Sequence, residues 1–323
     1  MFLIMKFNKF SIMKKLFLLS KQNLDLSKEE VLQLFNIKNY KLIDNLLITK
    51  KVNQKLFFRL AYTKFIYEYL FEGSNRDILK KIKKFRWNSI YKKNFCVRFH
   101  GSAKFKQVEF SDIIWNKINN PKVELAVPET AIEFFFIKDK IIAAKLVYEN
   151  KEKFEERKPH LRPELSPISL HPRLARCLIN LTGIEKGPIL DPFCGVGGIL
   201  IEAGLMKLKP IGYDIDNVTL QKCKINLTSF NIKAKLYNRN ALTINQKVQY
   251  IVTDLPYGKN SKMSKNLYEN FLKVLRKILR KRAVVVFPNK IDKRLIKKNK
   301  LKIVKEFEYY IHKSLTKKIL VVE

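Results

Sequence analysis

Acidic residues are scarce in this chain of 323 residues, where 29 Asp and Glu stand against 65 Lys and Arg for a formal net charge of +36. The deficit points to a polyanionic partner, nucleic acid first, because charge of one sign speaks to partners rather than to fold. Cysteine is sparse as well. Cys96, Cys177, Cys194 and Cys223 form no Cys-x-x-Cys pair and have no His at metal-ligand spacing. That argues against a zinc site, a metal centre of any kind and a disulfide framework, and it fits a reducing cytoplasm. Long apolar runs are missing too: Met1-Phe-Leu-Ile-Met5 is followed by Lys6, Lys9, Lys14 and Lys15, which break every stretch before it could span or anchor in a membrane. This start reads as a ragged extension, with Met5 or Met13 as alternative initiation points. Internal repeats and low-complexity tracts are absent, which leaves globular domains.

What is present supports cores of ordinary size, since hydrophobic residues make up 46% of the chain, enough for two or more domains. Richness in Lys, Ile and Asn is what an AT-rich genome would produce, and that bias accounts for Lys over Arg but does not require so few acids. Residues 76–106 carry 11 Lys and Arg with Asp77 as the one acid, and residues 273–318 carry 17 against Asp292, Glu306 and Glu308. A single run such as Lys80-Lys81-Ile82-Lys83-Lys84 is by itself best read as a solvated helix face. Basic excess in both halves implies a broad anion-binding surface whose affinity falls steeply with salt.

Pattern divides the chain. From Leu16 a β-α-β opening is expected, with Ser27-Lys-Glu-Glu30 at capping-box spacing to start a helix over 29–35. Residues 55–72 read as helix or strand, 77–84 as a short basic helix, 94–99 as a strand around Arg98, and 111–119 as a helix. Strands 131–137 and 141–147 are joined by the tight turn Lys138-Asp139-Lys140. Residues 149–172 mix charge with four prolines and read as a structured linker. Beyond it strands and helices alternate: strands at 188–191, 210–213, 234–237, 249–254 and 283–287, helices at 197–205, 217–230 and 265–281, and a closing hairpin of 303–310 with 315–322. Such alternation predicts a doubly wound, mostly parallel sheet with an antiparallel edge hairpin, preceded by an α+β region.

Two segments carry the chemistry. Asp191-Pro-Phe-Cys-Gly-Val-Gly-Gly198 ends a strand and opens a helix, so Gly195, Gly197 and Gly198 let backbone approach a ligand. With Asp214 19 residues after Gly195, a dinucleotide fingerprint is one reading. Two details favour S-adenosylmethionine. Asp191 would repel a pyrophosphate but could receive a cationic amino group, and the third glycine of the dinucleotide pattern is missing around Leu200. Asp214 would then accept from ribose hydroxyls and Asn240 from an adenine amine. Asp216 is read as a cap for the following helix, and Cys194 as a small apolar filler rather than a nucleophile.

The second segment, Asp254-Leu-Pro-Tyr-Gly258, lies 63 positions on. Methylation of an exocyclic amine needs the nitrogen lone pair turned toward the electrophilic methyl. Asp254 and the Leu255 carbonyl can accept the amine hydrogens, Pro256 stiffens the turn, and Tyr257 can stack on the base. A helical base must be extruded to reach such a site, at a cost of about a few kcal/mol. No cysteine lies near, which disfavours carbon-5 methylation of a pyrimidine.

These residues resemble the archaeal-type tRNA (guanine-N2-)-methyltransferases that modify position ten. The resemblance rests on Arg157-Lys-Pro-His-Leu-Arg-Pro163 with Ser169-Leu-His-Pro-Arg-Leu-Ala-Arg176, on Asp191–Gly198 continued by Ile201-Glu-Ala-Gly204, and on Asp254-Leu-Pro-Tyr-Gly. Leu255 replaces a proline and Asn240 a common Asp of the family pattern. The resemblance implies an N-terminal extension and ferredoxin-like segment over 1–50, a THUMP RNA-binding domain over 51–148, the linker 149–172, and a Rossmann-like methyltransferase domain over 173–323. It implies Asp254, Leu255, Pro256 and Tyr257 as catalytic residues. The cofactor would lie against Asp191, Phe193, Gly195, Gly197, Gly198, Asp214, Ile215, Asn240 and Ala241. tRNA would meet Arg98, Lys104, Arg157, His160 and Arg162 in a cytoplasmic monomer, with a small activator subunit left open. Alternatives are an amino methyltransferase for rRNA guanine, for DNA adenine N6 or for another tRNA guanine, and a non-catalytic RNA-binding protein.

Overall fold

The computed structural model of the chain describes residues 14–50, 52–165, 169–256, 261–288, 291–312 and 315–323. The chain divides into two compact units, Met1–Gln22 with Ile37–Gln54 and Thr63–Asn150, and Asn23–Asn36 with Lys55–Tyr62 and Lys151–Glu323.

The elements of the first half are, in chain order, β1 (Lys15–Leu19), α1 (Leu24–Leu34), β2 (Tyr40–Ile43), β3 (Leu46–Thr49), β4 (Thr63–Gly73), α2 (Ile78–Lys84), β5 (Phe95–His100), α3 (Gln107–Trp115), β6 (Thr130–Ile137) and β7 (Lys140–Glu149). All but α1 belong to the first unit, whose strands form one sheet in the order β2-β3-β1-β4-β7-β6-β5. Every pair is antiparallel except β5 with β6. The near-continuous apolar run of β6 follows from burial on both faces: Phe134 packs with Trp87, Phe95 and Phe110, and Phe135 with Leu16, Leu46 and Tyr67. The sheet is not interrupted at residue 50, because β4 pairs with both β1 and β7. Residues 55–72, read as helix or strand, are a short 3₁₀ helix over Gln54–Arg59 followed by β4.

The capping box is a correction. The helix begins five residues before the expected 29, at Leu24, which places Ser27 and Glu30 inside it. Ser27 bonds back to the Asn23 carbonyl at 2.8 Å. Glu30 is fully buried and accepts from the Ala61 and Tyr62 amides and from the Asn180 side chain, at 2.8, 2.9 and 2.8 Å. A spacing that suits a helix start is here a buried carboxylate holding 55–62 and the helix around Asn180 to α1.

The second unit continues with α4 (Pro172–Leu181), β8 (Pro188–Asp191), α5 (Gly198–Leu205), β9 (Lys209–Asp214), α6 (Asn217–Ser229), β10 (Lys235–Asn238), β11 (Val248–Asp254), α7 (Ser261–Ile278), β12 (Leu279–Phe287), α8 (Lys293–Lys298), β13 (Ile303–His312) and β14 (Leu315–Val322). Its sheet runs β10-β9-β8-β11-β12-β14-β13, parallel from β10 to β12 and antiparallel through the closing hairpin. This is the expected Rossmann-like arrangement. Helices α4 and α5 bury Leu178, Ile179, Ile199 and Ala203 against Val252, Val284 and Ile319 on one face. On the other, Phe271, Leu275 and Ile296 cover Ile251, Val285 and Leu320. Strand order reverses between β8 and β11, and in such sheets ligands settle outside the carboxyl ends at that switch point.

Two helices are not legible in the pattern. Pro172, which the sequence places in a proline-broken linker, is the first residue of α4, where its missing N–H costs nothing, and His171 caps the amide of Arg173. Helix α8 is capped by Asp292. No helix among the described residues is long and apolar enough to cross a membrane.

Candidate active site

Three adjacent strands of the second sheet, β9, β8 and β11, end on acids: Asp214, Asp191 and Asp254. All three line one cavity of about 680 Å³, with Phe193, Gly195, Gly198, Ile215, Asn240, Ala241, Leu255 and Pro256. The glycine-turn motif and the second motif therefore open onto a common space of the size a cofactor occupies.

The glycine turn has its shape for stated reasons. Gly197 has φ +90°, and a Cβ there would stand 2.7 Å from the Cys223 Sγ, so only glycine allows α5 to start against α6. Gly197 itself is not part of the cavity lining; it shapes the turn from behind. Cys194 is buried, and its hydrogen bond with Cys223 together with burial pushes its thiol far up, which suits a filler and not a nucleophile.

Asp191 is 2% exposed and accepts from the Phe193 amide at 3.1 Å and the Thr253 hydroxyl at 2.7 Å. Burial pushes its carboxyl up to about 7, opposed by those two bonds and reinforced by the charges of Asp254 and Asp214. A cationic amino group placed beside it would remove much of that penalty. Asp214 accepts from the Gly195 amide at 3.0 Å and the Asp216 amide at 2.9 Å, which fixes the carboxylate at the cavity edge. Asp216 caps α6 through the Val218 and Thr219 amides, as read from sequence. Asn240 uses its side-chain oxygen to cap a short 3₁₀ turn at the Leu242 amide, at 2.9 Å. Phe193 packs edge-on against Phe271, and Ile215 is 70% exposed at the rim.

Asp254 holds the arrangement that sequence does not disclose. Its Oδ2 accepts from the Lys317 ammonium at 2.6 Å, while its Oδ1 is buried without a hydrogen-bond partner. Burial pushes this carboxyl up and Lys317 pulls it down. Leu255 is fully buried, its amide donating to the Val286 carbonyl at 3.0 Å, and the Tyr268 hydroxyl donates to the Pro256 carbonyl at 3.1 Å. Tyr257 lies outside the described residues. In the sequence Lys317 is no more than one of the basic residues of 273–318.

The expected RNA-contact residues are divided between the two units. Arg98 and Lys104 belong to the first unit, where Arg98 donates to the Leu125 carbonyl at 3.1 Å and Lys104 is exposed. His160, in the second unit, is exposed. Arg157 is instead committed internally, its guanidinium bonded to the fully buried Glu202 at 2.8 and 3.2 Å and to Glu152 at 3.1 Å, with Arg176 on the other side of Glu202 at 2.8 Å. Arg162 is buried as well; its Nε donates to the Arg157 carbonyl at 3.0 Å, and its Nη1 lies against Gly198. Both guanidiniums are enclosed in the protein, so neither is proposed as a contact to tRNA. Among the described residues no group of His, Cys, Asp and Glu could hold a metal ion.

Comparison with known proteins gives the same picture. A family model, UPF0020, an RMKL-like methyltransferase domain, matches residues 159–317. The tRNA (guanine(10)-N2)-dimethyltransferase of Methanothermobacter thermautotrophicus is 33% identical over 299 residues, covering 88% of this chain and 88% of that protein. The chain belongs to the tRNA (guanine(10)-N2)-dimethyltransferase family. A second member of this family, from Pyrococcus abyssi, is 31% identical over 322 residues, covering 93% of this chain and 96% of its own length. TrmN of Thermus thermophilus, a solved structure, has 17% identity and a TM-score of 0.52 over 96% of this chain and 99% of that one, a likeness of fold. As a member of the family the chain is a methyltransferase with S-adenosylmethionine as its methyl donor, and the cavity fits that donor. A buried carboxylate in need of a cation, a second one fixed at the rim, and apolar walls from Phe193, Ile215 and Ala241 match an ammonium, a ribose and a flat base in turn.

Proposed function

We propose that this chain methylates the exocyclic N2 amine of a guanine in tRNA, at position ten. The observation that carries this reading is the unpartnered Oδ1 of Asp254, a buried acceptor on a residue that lines the same cavity as Asp191. A buried acceptor without a donor is costly, and an amine on a flat base brings hydrogens to satisfy it. When bound, the cofactor supplies an electrophilic methyl on a sulfonium. The chain does the rest by placement: Asp254 Oδ1 and the Leu255 carbonyl draw the amine hydrogens aside so that the nitrogen lone pair faces the methyl, and the Tyr268–Pro256 hydrogen bond steadies the turn that holds them.

The names of the relatives favour tRNA over rRNA or DNA as substrate and two successive transfers to one nitrogen. The formal charge of +36 suits a polyanion of that kind. Half-buried Arg98 and exposed Lys104 and His160 are proposed as contacts to tRNA, the first unit as a THUMP-containing RNA-binding part, and the cytoplasm as the compartment. Incubation of the protein with unmodified tRNA and S-adenosylmethionine, followed by nucleoside mass spectrometry with the site mapped, tests the reading. N2-methylated or N2,N2-dimethylated guanosine at position ten is the expected product; label on adenine, on rRNA alone or on no nucleic acid would overturn it.

A further inference from the structure

Lys317 is an unusual lysine in a chain that has so many. It is 3% exposed, and its ammonium stands 2.6 Å from Asp254 Oδ2, with the two side chains 4% and 15% exposed. Topology puts it there. Asp254 is in register with Val286 of β12, and Val286 with Ile319 of β14. Lys317, two residues before Ile319, shares that face of the sheet by strand alternation. Because β14 runs antiparallel to β12, it begins at the edge where β11 ends, and a lysine side chain reaches across one intervening strand, roughly 10 Å from β14 to β11.

An ammonium and a carboxylate taken out of water together are a weak source of stability, since desolvation offsets most of their attraction. The pair has a different consequence. It occupies one oxygen of Asp254 and leaves the other, Oδ1, buried and without a partner. A protonated carboxyl would offer a donor toward an amine that already brings donors, whereas an ionised one offers acceptors only. Asp191 and Asp214, at the ends of the two next strands, are of the same sign as Asp254, and Tyr268 of α7 hydrogen-bonds to the Pro256 carbonyl of the same turn. Among the described residues Lys317 is the cation in contact with Asp254.

We infer that Lys317 is a positioning residue for methyl transfer: its ammonium holds Oδ2 and thereby presents Oδ1, as an anion, to the amine of the acceptor base. This rests on the proposed role of Asp254. Removing the cation leaves the carboxylate among acids and apolar walls, so its affinity for a proton rises and activity at low pH is lost first.

The test is the pH profile of kcat on tRNA at saturating cofactor for the wild type, Lys317→Met and Lys317→Arg. In Lys317→Met the acid limb moves to higher pH by about 1 to 3 units. Its kcat is then roughly tenfold or more below wild type near pH 6 and recovers toward wild type near pH 9. Lys317→Arg keeps the limb near its wild-type position. KM for tRNA and affinity for sinefungin change little in either variant. An unshifted limb, or a loss equal at all pH values, overturns the inference. Should Lys317→Met fail to fold, Lys317→Gln, neutral but still able to donate to Oδ2, is expected to show the same displaced limb, and an undisplaced one overturns the inference equally. A wild type that methylates no guanine in tRNA refutes the reading of Asp254 itself, an outcome distinct from a wild-type enzyme whose Lys317 variants keep its profile.

Discussion

The Thr253 hydroxyl donates to Asp191 Oδ1 across 2.7 Å, so the residue next to the acid of one motif holds the acid of the other. Successive side chains of a strand point to opposite sides. One step along β11 thus serves the cofactor end of the cavity through Thr253 and the acceptor end through Asp254. Thr253→Val keeps the shape and removes the donor. It is expected to weaken cofactor binding by about 1 kcal/mol, read by calorimetry.

Asp191 gives cofactor binding a pH dependence whose sign is fixed. The ionised carboxylate receives the cationic amino group, and burial holds the empty site's carboxyl up near 7. Affinity therefore rises as pH increases toward about 7. It falls again where an α-amino group loses its proton, at about 8. In Asp191→Asn the rise below 7 is expected to vanish. Without ligand, the same raised carboxyl favours the protonated folded state, so wild-type stability declines between the ordinary carboxylate value and about 7. Asp191→Asn lacks that decline. Calorimetric titration and thermal melts across this window check both.

Breaking the Asp254–Lys317 pair from the carboxylate side is expected to destabilise the fold. Asp254→Ala strands a buried ammonium and costs about 3 to 5 kcal/mol. The double variant Asp254→Ala with Lys317→Met recovers part of that loss, a coupling that denaturant melts measure directly.

Arg157 and Glu202 make a complementary case. Arg157→Ala leaves Glu202, which is fully buried, with one cation fewer. The expected result is a loss of stability of about 3 kcal/mol or more, with no change in the salt dependence of tRNA binding. A flattened salt slope, measured by filter binding, would instead return Arg157 to the RNA surface. Substitution of exposed Lys104 or of the lysines of α2 is expected to do the reverse, lowering the slope by roughly one unit for each phosphate left without its cation.

Much of the second unit is legible in the sequence because period and punctuation agree there. Strands ending at Asp191, Asp214 and Asp254 and the glycine turn after β8 need only local pattern, and all appear where the sequence puts them. Local pattern fails where distant partners decide. Ser27 and Glu30 have capping-box spacing, yet Glu30 is satisfied by Ala61, Tyr62 and Asn180, none of which a short window contains. Lys317 is illegible for the same reason: nothing nearby distinguishes it from the other lysines of its basic stretch, and only strand order brings it to Asp254. Arg157 resembles a surface cation because its charge is visible in sequence and its burial is not.

The bond between Glu30 and Asn180 spans 150 positions, and this bears on how the protein is made. When α1 leaves the ribosome, the residues that will enclose it have not yet been translated. The second unit cannot close in the order in which it is synthesised, and an expression fragment starting at 173 would leave the Asn180 amide and the part of α4 that packs with Leu26, Ala61 and Tyr62 without their cover. Producing that half alone requires supplying residues 23–36 and 55–62 in trans or grafting them onto it.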